Sequence, residues 1–124
     1  MRRLLQRVSL LLLCACSFGA VTWASDYILA TEAKVYEGYI RKVCGEVATV
    51  DVTEEAIYLN FVQPYPKEPF YGFIWREDLA DIGSLEWAQS LAKQEVCLTG
   101  HIDSYENVPL MIITDRDQVE VIDL

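Results

Sequence analysis

The residues able to do chemistry in this 124-residue chain are few, and most stand without the partners that chemistry needs. His101 is the single histidine. A base-and-nucleophile pair would be built on it, yet no serine or cysteine stands in an elbow context such as Gly-x-Ser-x-Gly. His101 therefore reads as a strand residue near a loop mouth. Zinc needs closely spaced soft ligands, and Cys44 and Cys97 lie in separate apolar stretches with no Cys-x-x-Cys spacing. Oxygen donors cluster at Glu77-Asp78-Asp81 and at Asp115-Asp117-Glu120. Neither run has EF-hand spacing with its turn glycine, so each reads as a solvated acidic face. No two carboxylates have a separation that the sequence fixes for glycoside hydrolysis. The expectation is a chain that is not an enzyme, with no cofactor and no metal.

The aromatic residues are more informative. In a strand, alternate residues share a face. Along 56–62, Ile57, Leu59 and Phe61 share one face, and Tyr58 and Asn60 share the other. Along 70–75, Phe70, Gly72 and Ile74 alternate with Tyr71, Phe73 and Trp75. With the more aliphatic faces inward, Tyr58, Asn60, Tyr71, Phe73 and Trp75 line an outer wall, with Tyr105 in a loop beside it. These six are the candidate ligand-binding residues, since exposed rings stack on bases, sugars or a partner's side chains. The competing reading packs several of them under the N-terminal segment or the Pro64-Tyr65-Pro66 loop.

The elements that would position them follow from periodicity. Thr31 is placed to cap a short helix that Gly38 ends. Strands are expected over 40–52, with a bend at Gly45, and over 56–62 and 70–75. The three prolines of 63–69 impose a loop between the last two. Ser84 caps a helix through Leu85, Trp87, Ala88, Leu91 and Ala92. A fourth strand is expected over 95–103 and a fifth over 110–114. Asn107 is the natural positive-φ residue of the turn between them, and a short extended tail covers 119–122.

Residues 1–24 read as an address label. Arg2, Arg3 and Arg7 precede a short apolar run, and Thr22-Trp23-Ala24 offers small residues to a signal peptidase, which places cleavage after Ala24. The run is too short to span ~30 Å of hydrocarbon, so no transmembrane segment is expected after processing, and residues 25–124 form one domain. The alternative is a lipoprotein box, Leu13-Cys14-Ala15-Cys16, with lipid on Cys16. Export to the periplasm or beyond meets an oxidising compartment, where Cys44 and Cys97 are the pair available for a disulfide. Removing 1–24 leaves seven basic and nineteen acidic residues, a net charge of −12. Such a surface repels polyphosphate unless its cations converge, and Arg41-Lys42 is the one adjacent basic pair. A protein or small ligand of the cell envelope fits better than nucleic acid.

Five strands with a helix between the third and fourth is the element order of an all-β OB-fold barrel. Closure spares a small domain free sheet edges, and Gly45 and Gly100 suit strands that bend sharply. Val43-Cys44-Gly45-Glu46-Val47, Tyr58-Leu59-Asn60-Phe61, Pro64-Tyr65-Pro66, Phe73-Ile74-Trp75, Val96-Cys97-Leu98-Thr99-Gly100-His101-Ile102 and Tyr105-x-Asn107-x-Pro109 occur in that order. As a set they resemble a family of small bacterial exported OB-fold modules, grouped with nucleic-acid-binding OB domains and sometimes accompanying nuclease-like domains. The resemblance covers about residues 30–122. It implies the five-stranded barrel, and it implies single-stranded nucleic-acid binding, or service to a secreted nuclease, as the alternative function. The chain departs from the family at Asn107, where glycine is usual. It departs again at Ala92-Lys93-Gln94, where a Gly-Lys pair is usual, and at Asp115–Gln118, which lacks a common proline.

Mass spectrometry of the mature protein is expected to find Ser25 as its free N-terminus. Diacylglycerol on Cys16 would instead establish the lipoprotein route, and an intact Met1 would contradict both.

Overall fold

A computed structural model describes residues 26–122. The expected signal segment, with Cys14 and Cys16, lies outside the described residues. The described chain is dominated by one sheet with little helix. Its strands are β1 (Ile28–Leu29), β2 (Ile40–Val52), β3 (Ala56–Phe61), β4 (Phe70–Trp75), β5 (Glu95–His101), β6 (Asp103–Tyr105), β7 (Val108–Ile112) and β8 (Val119–Ile122). Two short helices, α1 (Leu79–Ile82) and α2 (Leu85–Ser90), lie between β4 and β5.

The all-β class agrees with expectation, and the strand count does not. There are eight strands among the described residues rather than five. They pair in the order β6-β7-β4-β3-β2-β5-β8, an open path, with β1 added to β2. Two causes account for the difference. The short extended pieces at either end find partners, β1 on β2 in parallel and β8 on β5 in antiparallel. The expected fourth strand also divides at Ile102, which is fully buried. The Ile102 amide donates to the Tyr39 carbonyl at 2.9 Å, and its own carbonyl accepts from the Gly38 amide at 2.8 Å. There the chain leaves β2, and from the next residue, Asp103, it is paired with β7.

β2 is the long member, and it changes partner midway. Ile40–Glu46 pairs with β5, and Val47–Val52 pairs with β3, with a bulge between Val47 and Thr49. A bulge bends a strand and raises its twist. Gly45 precedes it, where a Cβ would stand 3.1 Å from the Ala30 Cβ and 3.3 Å from the Phe61 ring. β3 ends one residue before the expected Val62. Val62 has φ 72°, and Gln63 donates to the Phe61 carbonyl at 2.8 Å, the geometry of a tight γ-turn into the proline loop.

The helices are shorter than the periodicity suggests. Residues 30–36 form a 3-10 helix in which Thr31 is not the cap. Instead, Glu32 Oε1 accepts from the Leu29 amide at 2.8 Å, and Gly38 ends the segment at φ 91°. Ser84 does cap α2, accepting from the Trp87 amide at 3.0 Å. That helix stops at Ser90 because the residues after it are tied to β2. Lys93 donates to the Val47 carbonyl at 2.7 Å, and Gln94 accepts from the Val47 amide at 2.9 Å. Lys93 turns there at φ 70°. The core is filled by Val43, Val47, Ile57, Leu59, Phe61, Phe70, Ile74, Leu98, Met111 and Ile113, with Leu79, Ile82 and Leu91 closing one side.

Cys44 and Cys97 face each other in the β2–β5 register and are joined as a disulfide, Cα atoms 4.1 Å apart. The crosslink spans 53 residues of sequence, worth ~4 kcal/mol if it acts by restricting the unfolded chain. The Cys44→Ala/Cys97→Ala double variant should lose stability of that order in urea melts. A loss below about 1 kcal/mol would show that strand pairing alone supplies the restraint.

Candidate functional site

The candidate wall is a consequence of alternation in β3 and β4. The two strands pair without a slip from Ala56↔Trp75 to Phe61↔Phe70. Ile57, Leu59, Phe61, Phe70 and Ile74 point inward and are fully buried. The opposite parity sends Tyr58, Tyr71, Phe73 and Trp75 outward. These four rings form a continuous ladder. Tyr58 lies 5.8 Å from Tyr71 and 5.3 Å from Phe73, and Phe73 lies 4.7 Å from Trp75, the last two contacts being edge-to-face. Edge-to-face pairs fix each ring's orientation. Tyr58, Tyr71 and Phe73 are half-buried, and Trp75 is 41% exposed.

The wall continues onto β7, which runs parallel to β4 with Ile112 beside Phe73 and Leu110 beside Tyr71. Ile112 is exposed and Leu110 is buried. Tyr105 is 64% exposed and sits at the hairpin joining β6 to β7. Glu106 and Asn107 form that turn at φ 49° and 70°, so the positive φ expected of Asn107 is present and shared with its neighbour.

Asn60 departs from the expected wall. It has the outward parity, yet it is only 1% exposed. Its Nδ2 donates to Thr49 Oγ1 at 3.0 Å and to Asp51 Oδ2 at 2.9 Å. Thr49 is its register partner on β2 and Asp51 is the next outward residue. A buried amide must spend its donors internally, so Asn60 braces β3 against β2 and is not a surface residue of the wall. Sequence parity assigned the face correctly and could not reveal the cover.

The charges beside the rings are mostly acidic. Glu68 comes from the proline loop and is 7% exposed. Burial pushes its carboxyl above the usual range, its own backbone amide opposes that, and the nearby charge of Asp51 adds to it. Burial likewise raises the Tyr71 phenol, with Tyr58, Glu68, Tyr105 and Glu106 acting in the same direction. At the other end, Glu54, Glu55, Trp75, Arg76 and Glu77 line an open notch of about 360 Å³. The Arg76 guanidinium donates to the Thr53 carbonyl at 3.0 Å.

The other candidates are engaged elsewhere. His101 Nδ1 lies 2.7 Å from Asp103 Oδ1 on the exposed surface. Asp115 accepts from the Asp117 amide at 2.8 Å, capping a 3-10 turn, and Glu120 pairs with Lys42 at 3.0 Å. A shallow groove of about 310 Å³ lies over the disulfide, with Tyr27, Leu29, Lys42, Glu95 and Ile122 around it, and sequence reasoning missed it. Long-range pairing of β1 and β8 builds that groove, and no local pattern carries it.

No family model and no curated protein matches the chain. Among solved structures it is similar to a protein assigned as an aspartyl-tRNA synthetase from Leishmania major Friedlin, with TM-score 0.53 and 8% identity. The match covers 82% of this chain and 22% of that one. At this identity the similarity speaks to the fold alone. No helix among the described residues is long and apolar enough to cross a membrane.

Glu68 generates a pH prediction. Its folded-state pKa is raised, so the unfolded chain loses this proton first as pH rises. Stability therefore falls as pH climbs from the ordinary glutamate value through the raised one, and the deficit persists at neutral pH. The Glu68→Gln variant should melt higher than wild type at pH 7, with the difference vanishing below the ordinary glutamate range. A difference that does not change with pH would contradict a raised pKa.

Proposed function

We propose that this chain is an exported OB-type module that binds a protein or small ligand of the cell envelope, without catalysis, through the outer wall of β3 and β4. The observation that carries this reading is the ladder of Tyr58, Tyr71, Phe73 and Trp75, ordered by ring contacts, with Trp75 exposed and the other three half-buried. OB folds use this wall for ligands. The barrel reading rests on the continuity of β5 and β6 across Ile102. The pairing path is open rather than a closed cylinder; what supports the barrel reading is that one stretch of chain pairs with β2 through β5 and with β7 through β6, touching the sheet at two separated strands. Export is supported by the basic head and apolar run of residues 1–24, and the disulfide is compatible with an oxidising compartment. Lipid on Cys16 is the alternative anchor.

A second reading, single-stranded nucleic-acid binding, is favoured by the fold similarity to a protein named for work on tRNA. Single-strand sites pair aromatic platforms with a positive groove. Here Asp51, Glu68 and Glu106 stand beside the rings instead.

Crosslinking in intact cells distinguishes them. Wild type should capture an envelope partner that the Tyr71→Ala/Trp75→Ala variant loses, and an unchanged set of partners would remove this surface from the function. A labelled oligonucleotide should show little anisotropy change at about 150 mM salt. Tight binding that weakens steeply with added salt would promote the second reading.

A further inference from the structure

We infer that the β3–β4 wall recognises an extended, basic polypeptide segment, its arginine or lysine side chains lying over the rings and between flanking carboxylates. This rests on the wall being the binding surface, and it adds the chemistry of the occupant.

Three observations lead to it. The first is charge complementarity at the Trp75 end. Glu54, Glu55 and Glu77 share the notch with the exposed indole, and all three are exposed. Arg76 is the one basic residue lining it, and that guanidinium is turned to the Thr53 carbonyl. A cation over an indole face is attracted by the ring quadrupole, and carboxylates at the ring's margin add to that attraction. The second is the opposite end. Asp51 and Glu106 are exposed there and act on Glu68 and Tyr71 respectively, Glu68 itself being buried. Anionic groups thus flank the rings at both ends. The third is spacing. Tyr71, Phe73 and Trp75 repeat every second residue, ~6.6 Å apart along the strand, which is the repeat of same-side side chains in an extended peptide. Arginine best suits such a surface, because its planar guanidinium stacks on rings and forks onto carboxylates. Phosphate-bearing ligands are repelled by the same groups.

The test uses an alternating Arg-Ser octapeptide, with Gln-Ser and Glu-Ser versions as controls, titrated into the processed, oxidised protein. Tryptophan fluorescence and calorimetry report binding. The Arg-Ser peptide should bind, and the controls should not. Glu54→Gln, Glu55→Gln and Glu77→Gln together should weaken binding about tenfold, as three exposed charge contacts would. Trp75→Leu should weaken it severalfold with its melting temperature retained. A charge-matched set placed elsewhere, Glu46→Gln, Glu86→Gln and Asp117→Asn, should change affinity by less than about twofold. Equal losses in the two sets would show attraction by net charge alone and overturn the inference. Absence of Arg-Ser binding, with partner capture still dependent on Tyr71 and Trp75, would overturn the cationic occupant and leave the surface standing. Absence of both would remove the surface as well.

Discussion

The unslipped register between β3 and β4 is the constraint on which the rest of the structure depends. A shift of one residue would exchange the two faces of a strand, putting Ile57 and Leu59 in water and the tyrosines in the core. The register is held at one end by Phe61 against Phe70, both fully buried, with ring centroids 5.2 Å apart. It is held in the middle by Gly72, where an added Cβ would stand 2.7 Å from Leu98 Cδ1 and 3.3 Å from Leu59 Cδ1. Only a residue without a side chain lets those leucines meet across the interior. The outward ladder is therefore the other side of the packing that stabilises the domain.

The two halves of β2 divide the labour. Its first half carries the disulfide and the groove above it, and its second half supports the aromatic wall through Thr49 and Asp51. The bulge near Val47 separates them, and Val47 is fixed at that junction by accepting from the Lys93 amide and donating to the Gln94 carbonyl. Electrostatics then acts on a surface already shaped. Carboxylates stand near the rings at both ends, in keeping with the acidity of the chain.

Much of this was legible in the sequence where short-range patterns decide. β2 and β4 have the expected bounds, β3 ends one residue early, and the Ser84 cap and the left-handed Gly38 and Asn107 stand where their residue types imply. Alternation alone placed the four rings on one face. What was not legible depends on distant partners. The break at Ile102 comes from hydrogen bonds to residues 38 and 39, the early end of α2 from bonds to Val47, and the burial of Asn60 from Thr49 and Asp51 across the sheet. The pairing of β1 and β8 has the same character, since two- and four-residue strands carry too little pattern to announce a partner.

Amide and aromatic chemical-shift mapping of the oxidised protein, titrated with its captured partner, tests the central claim most directly. Recognition through the ladder predicts shifts concentrated at Tyr58, Tyr71, Phe73, Trp75 and Ile112, with the resonances of Tyr27, Leu29 and Cys97 unmoved. Shifts confined to the groove over the disulfide, with the ladder silent, would contradict it.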